Sequence, residues 1–327
     1  MKALSPRYFQ AILPISLVIL YVSWRFLDVT IAPKSTTVTV NRPEETPNGY
    51  QETTREENKA LDKPFTAQRA LGKPKGGKKY LLIYNNVPKC GSRSLAHTIK
   101  DMFQYRRIND VNVSKMDKRN ISVLKKAFTT VEAPAYISGH MPFIALQRSD
   151  VAYINLVRDP IDRFLSLYYF AINGDKNGVK PVGTEINVQN KTIDEYVMSG
   201  GKVDTHIYYY FIEDTKENRN LKIEDAIQQS KQNIEKYYTL VGITEEMLNT
   251  MKLLEKLFPE LLPRIHKKYI NKNKAERKEG YTTLHKVPPS KHTVSILKEK
   301  LKREYDLYYF IKGRFTELKR KFRINHK

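Results

Sequence analysis

The sequence predicts an α/β fold with a mostly parallel central sheet flanked by helices. A short apolar run, a tight turn and an amphipathic helix follow one another from Tyr80 to Phe103 and again from Val151 to Tyr168. Ala135–Ser138 and Leu240–Ile243 are further short strand candidates. Strands that alternate with helices argue for a parallel sheet covered by helices rather than for a sandwich or a bundle.

Taken in order, the first feature is Tyr8–Trp24, 17 residues without a charge, bracketed by Arg7 and Arg25. That length is at the short end of the membrane-spanning range, and Pro14 suits a membrane helix better than a soluble one. A cleaved signal peptide and a buried helix are the alternatives, but no small-x-small cleavage site directly follows the run. Lys2 and Arg7 precede it, whereas Arg25 and Lys34 are diluted by Asp28, which favours a cytoplasmic N-terminus. The expected organisation is a cytoplasmic tail at 1–7, a transmembrane signal anchor at 8–27, a proline-bearing polar stem at 28–79 and a lumenal domain at 80–327. Sequons at Asn112, Asn120 and Asn190 would carry glycans in a lumenal domain.

Within the folded region, Tyr80–Tyr84 is apolar enough for a buried strand. After a turn-rich stretch, Leu95, Ile99, Met102 and Phe103 repeat at helical spacing, with Ser92 or Ser94 as candidate caps. Val151–Val157 is a second strand, and Pro160 fits the first turn of the helix that carries Ile161, Phe164, Leu165 and Tyr168. Glu245–Phe258 and Thr293–Lys321 read as amphipathic helices.

A formal charge of +22 points to an anionic partner, and nucleic acid, acidic lipid and acidic glycan satisfy it equally. Cys90 is the single cysteine, which excludes an intramolecular disulfide and a cysteine-based zinc site. A strand, a tight loop with Lys89 and Gly91, and a helix N-terminus make a cradle for an anion, with backbone N–H groups and the helix dipole facing it. The same segment also fits an ordinary strand–helix turn with a surface lysine. It is not a Walker A loop, because Gly-x-x-x-x-Gly-Lys-Ser/Thr is absent, and no aspartate ends an apolar strand as a magnesium ligand would.

Val87-Pro88-Lys89-Cys90-Gly91-Ser92-Arg93-Ser94 resembles the 5′-phosphosulfate loop of Golgi carbohydrate sulfotransferases. Arg158-Asp159-Pro160-Ile161-Asp162-Arg163-Phe164-Leu165-Ser166 resembles their 3′-phosphate motif, in which an arginine and a serine hold the 3′-phosphate. Tyr153–Pro160, Tyr168-Tyr169-Phe170, Gly174-Asp175 and Leu240–Glu246 are similar to signatures of the uronosyl 2-O-sulfotransferases, and the likeness runs from about Tyr80 to the C-terminus. The Lys89–Arg93 loop and the tail from Glu304 look nearer to the chondroitin/dermatan enzyme than to the heparan one.

The resemblance implies a P-loop-like sulfotransferase fold and 3′-phosphoadenylyl sulfate as co-substrate, with no metal. It also implies a glycosaminoglycan acceptor, a single-pass Golgi location and a homo-oligomer, a trimer by the heparan relative. It makes His140, in Gly139-His140-Met141, the base that takes the acceptor proton, and Lys89 the cation that stabilises charge on the leaving oxygen. Lys89, Cys90, Gly91, Ser92, Arg93, Ser94, Arg158 and Ser166 would bind the donor, with Arg277 and Lys278 on a basic loop that closes over it. Two departures concern the acceptor: Asn86 stands where the family usually has arginine, and only Lys176 and Lys180 follow Gly174-Asp175 where the heparan enzyme has a run of arginines. A third concerns the base: Ser138 stands where the heparan enzyme has a second histidine. The rival readings are a membrane-tethered, non-catalytic binder of acidic glycans and a nucleotide kinase. Nucleic-acid binding is disfavoured, since no zinc finger or other recognisable motif is present.

Overall fold

The computed structural model describes residues 79–106, 108–113, 120–174, 191–203, 206–276 and 286–324. The predicted anchor, all of the stem but Lys79, the Asn190 sequon, Arg277 and Lys278 lie outside the described residues. Among the described residues no helix is long and apolar enough to cross a membrane.

Five strands form one sheet: β1 (Leu81–Asn85), β2 (Asn109–Asn112), β3 (Ala135–Gly139), β4 (Val151–Val157) and β5 (Tyr238–Ile243), in the order β2-β3-β1-β4-β5. Every pairing is parallel. All residues of β1, β4 and β5 are buried, so these strands, apolar but for Asn85, Asn155 and Thr239, are covered on both faces, as parallel sheets require. β3 is buried at its first three residues and partly exposed at Ser138 and Gly139, and β2 departs furthest from the pattern. Its sequence, Asn-Asp-Val-Asn, suits an edge strand.

The crossovers are helical. α1 (Ser92–Tyr105) leads from β1 to β2, α2 (Ile121–Thr129) from β2 to β3, and α3 (Pro160–Asn173) leaves β4. After α4 (Ile193–Met198) and the short α5 (Lys216–Arg219), α6 (Ile223–Tyr237) feeds β5. α7 (Met247–Leu257) and α8 (Ile265–Glu276) follow, and α9 (Lys291–Lys300) and α10 (Lys302–Lys321) end the described fold. The predicted helix Thr293–Lys321 is thus two helices, divided at Leu301, which caps the end of one and the start of the other. The predicted helix from Glu245 starts two residues later, since Thr244–Glu246 forms a 3₁₀ turn.

The main core gathers under the sheet's aromatic residues. Phe143 packs on Tyr153, Tyr237 and Tyr238 at centroid distances of 5.3, 4.9 and 5.9 Å. Phe164, Tyr168, Tyr196, Val197, Leu297 and Leu301 make a second cluster that fastens α4 and α9 to α3.

Because all five strands run the same way, the segments after β1, β3, β4 and β5 emerge at one edge of the sheet. Asn85 is level with Gly139, and Val157 with Ile243. β5 reaches that edge through a close approach to α7: a Cβ at Gly242 would lie 2.3 Å from Thr250 Cγ2 and 2.7 Å from its Oγ1. Gly242→Ala is therefore expected to destabilise the fold by about 1–3 kcal/mol through overpacking, measured as a lower urea midpoint. An unchanged midpoint would mean that α7 yields freely.

Candidate active site

The loop between β1 and α1 is shaped by two left-handed residues, Lys89 at φ 66° and Gly91 at φ 72°. Gly91, not Ser92 or Ser94, is the N-cap of α1, and it has no side-chain cap bond. The predicted serine cap is therefore corrected. A serine cap would need extended backbone at Ncap, whereas the left-handed turn here suits glycine. A Cβ at Gly91 would also lie 3.1 Å from Met247 Cε. As a result no cap side chain occupies the first-turn N–H groups of α1, and no acidic residue stands in that turn.

Ser92 is buried, while Arg93 and Ser94 are partly exposed on the first turn. The Cys90 side chain is fully buried, and burial pushes its thiol pKa up to about 12, so it is a protonated core group. Anything Cys90 offers a ligand comes from its backbone. Lys89 extends toward α3, where its Nζ lies 3.7 Å from the centre of the Phe170 ring.

Arg158 leaves the end of β4 and pairs with Asp162 at 3.2 Å. Asp159 caps α3 by accepting from the Asp162 N–H at 3.1 Å, and Pro160 follows in the first turn. Ser166 lies one turn farther on and is 4% exposed. Lys286 approaches the same place. Partial burial of its ammonium, then repulsion from Arg158, lowers its pKa. Two cations held close enough to repel are suited to an anion between them.

His140 follows β3 directly and is exposed. Its Nδ1 lies 2.9 Å from the Asn86 carbonyl oxygen. A carbonyl can only accept, so Nδ1 carries a proton, and when the ring is neutral its lone pair is on Nε2. Asn86 N–H donates in turn to the Gly139 carbonyl at 2.9 Å, which locks the ends of β1 and β3 together beneath the imidazole.

Several positioning groups carried no expected role in the sequence. Arg163 is 3% exposed, and its Nε donates to the Pro88 carbonyl at 3.1 Å, tying α3 to the lysine loop. Asn155 Nδ2 donates to the Asn85 carbonyl at 2.8 Å, and the Tyr238 hydroxyl donates to Asn85 Oδ1 at 2.9 Å, so a buried polar cluster supports the root of that loop. The Thr244 hydroxyl lies 2.7 Å from the Cys90 carbonyl and 2.9 Å from the Val157 carbonyl, and so joins the loops after β1 and β4.

α10 backs this junction. The Tyr305 hydroxyl donates to the Asp159 carboxylate, the Tyr308 hydroxyl to Glu245 at 3.3 Å, and Lys319 to Glu246 at 2.5 Å. Burial, then the neighbouring carboxylate in each case, raises the pKa of both phenols, so both remain donors.

The structure thus brings Lys89, Gly91, Ser92, Arg158, Ser166 and His140 to one end of one sheet, with the Cys90 thiol turned into the core. Among the described residues no group of three His, Cys, Asp or Glu side chains is arranged to hold a metal. A substitution of Thr244→Val keeps the shape and leaves the two carbonyls without their shared donor. It is expected to cost about 1–3 kcal/mol in urea unfolding and to speed amide exchange in the Cys90–Ser92 segment. Exchange at the wild-type rate would show that the two loops are held independently.

A family model described as the sulfotransferase family matches residues 77–310. The human uronyl 2-sulfotransferase is 29% identical over 261 residues, which are 74% of this chain and 64% of that protein. The chain therefore spans just under two thirds of the length of that relative. A Caenorhabditis elegans heparan sulfate 2-O-sulfotransferase is 29% identical over 74% of this chain and 80% of its own length. A Drosophila melanogaster heparin sulfate O-sulfotransferase is 30% identical over 74% and 73%, respectively. With most of the described fold covered by the family model, and with the strand–loop–helix sites inside that coverage, the chain belongs to the sulfotransferase family.

Proposed function

We propose that this protein transfers a sulfo group from 3′-phosphoadenylyl sulfate to the 2-hydroxyl of a uronic acid in a chondroitin/dermatan or heparan chain. The observation that carries the reading is the imidazole of His140, held by the Asn86 carbonyl with its lone pair on Nε2, beside a loop built to take an anion. The relatives' names supply the acceptor class.

The residues fit the donor. The uncapped N-terminus of α1 and Lys89 suit the 5′ anionic end, and Arg158, Ser166 and Lys286 suit a 3′-phosphate. The donor supplies an electrophilic sulfur and a phosphate leaving group. His140 Nε2 takes the acceptor proton as its oxygen attacks. Lys89 and the α1 amides offset negative charge on the departing oxygen, an electrostatic contribution arranged before the reaction begins.

We place the N-terminal uncharged run in a Golgi membrane as a signal anchor, with the 80–327 domain on the lumenal side and Arg277 and Lys278 on a loop closing over the donor. The arginines that bracket the run and the resemblance to Golgi enzymes support this assignment. A tethered, non-catalytic glycan binder accounts for the +22 charge, but gives no reason for an oriented imidazole close to a helix N-terminus without a side-chain cap.

The test is transfer from labelled donor to desulfated heparan, chondroitin and dermatan chains, followed by disaccharide analysis. Label at uronic acid O-2 is expected. His140→Ala is expected to lose about 10²–10⁴-fold in rate while still binding adenosine 3′,5′-bisphosphate. Transfer that survives the substitution would remove His140 as the base, and label on the hexosamine alone would overturn the acceptor site.

A further inference from the structure

We propose that Phe170 is a positioning residue for Lys89, a neutral platform that holds the lysine ammonium against the face of α3 that also carries Ser166. The proposal rests on the reading of Lys89 as a donor-site cation.

Arg163, Ser166 and Phe170 are spaced by three and four residues, which places them on one face of α3. Arg163 shows where that face is turned, because its Nε holds the carbonyl of Pro88, the residue before Lys89. Lys89 itself adopts φ 66°, a conformation that residues with a Cβ seldom take. Its side chain then reaches the partly buried Phe170, 3.7 Å from ammonium to ring centre. That separation is well inside the range over which an aromatic face attracts a cation. Ser166 lies between the Arg163 anchor and the Phe170 platform on the same face, so the lysine is held toward the helix that also carries the serine of the second loop.

The chemical character of the partner matters. A carboxylate at residue 170 would bind the ammonium more tightly, but would also repel an anionic donor. A ring face attracts the cation and adds no net charge to the site. It also restricts a side chain that would otherwise lose its rotamer freedom only when the donor arrives.

Competitive acetylation of the full-length protein, read lysine by lysine by mass spectrometry, tests the contact without any ligand. Phe170→Leu is expected to raise the Lys89 acetylation rate about 5- to 30-fold, whereas Phe170→Tyr retains the protection. Lys319, buried at 6% exposure, should stay unreactive and thereby report that each variant is folded. Equal Lys89 reactivity in the wild type and in folded Phe170→Leu overturns the proposal. In parallel, Phe170→Leu should weaken adenosine 3′,5′-bisphosphate binding in the Lys89 protein and have no further effect in Lys89→Ala. An equal loss in both backgrounds also overturns it. Absence of bisphosphate binding by the wild type would instead sink the donor-site reading, and the acetylation rates alone would then decide the role of Phe170.

Discussion

The Thr244 hydroxyl, within hydrogen-bond distance of the carbonyls of Cys90 and Val157, is the contact on which the rest of the site depends. The loops after β1 and β4 come from separate strand–helix units, and a parallel sheet fixes only where each strand ends. It does not fix how the chain turns afterwards. One hydroxyl at the end of β5 ties both turns to a third strand. Glu245, the next residue, accepts from the Asp159 N–H at 3.0 Å, and Arg163 returns from α3 to Pro88 at 3.1 Å. The loops are thereby fixed from two directions by groups that do not need the ligand. Preorganisation of this kind lets charged donors act without rearranging at the moment of reaction.

The same arrangement resolves an electrostatic conflict. An anion site should not contain bare carboxylates, yet Asp159, Asp162, Glu245 and Glu246 all lie at this end of the sheet. Each is engaged. Asp159 takes the Asp162 N–H and the Tyr305 hydroxyl, and Asp162 pairs with Arg158. Glu245 takes the Asp159 N–H and Tyr308, and Glu246 takes Lys319 and Asn249. α10 therefore contributes by engaging Asp159, Glu245 and Glu246 from behind, while the first turn of α1 carries no acidic residue of its own. Exposed pairs such as Arg158–Asp162 contribute little to stability in water. Their consequence here is orientation.

Much of this was legible in the sequence, and the reasons are specific. β1 and β4 are apolar runs because both faces are covered, and such runs announce themselves. β2 does not, since Asn-Asp-Val-Asn at an edge has neither a continuous apolar run nor an apolar alternation. The division of the last helix at Leu301 was hidden because Leu297, Leu301 and Leu307 are all buried, so apolar spacing runs on through the break. The cap of α1 misled for a related reason: serines adjoin the helix start, but the left-handed turn at Gly91 leaves them inside it. Roles that rest on distant pairing, such as Arg163 with Pro88 or Lys89 with Phe170, have no periodic signature. They become visible only when α3 is seated beside the loop.

At Asn86 the side chain and the backbone do separate things. The residue is 7% exposed, with a buried Oδ1 that has no hydrogen-bond partner, so a neutral group turned largely away from solvent stands at the root of the loop. Its backbone does something separate. The Asn86 carbonyl fixes the His140 tautomer, and its N–H closes the end of β1 onto β3. Neither bond depends on the identity of residue 86, provided the backbone keeps its path. Orientation of the imidazole is thus insulated from the side chain at this position: a change of residue at 86 alters the polarity at the root of the loop, while the Nδ1 contact and the closure of β1 onto β3 stay in place.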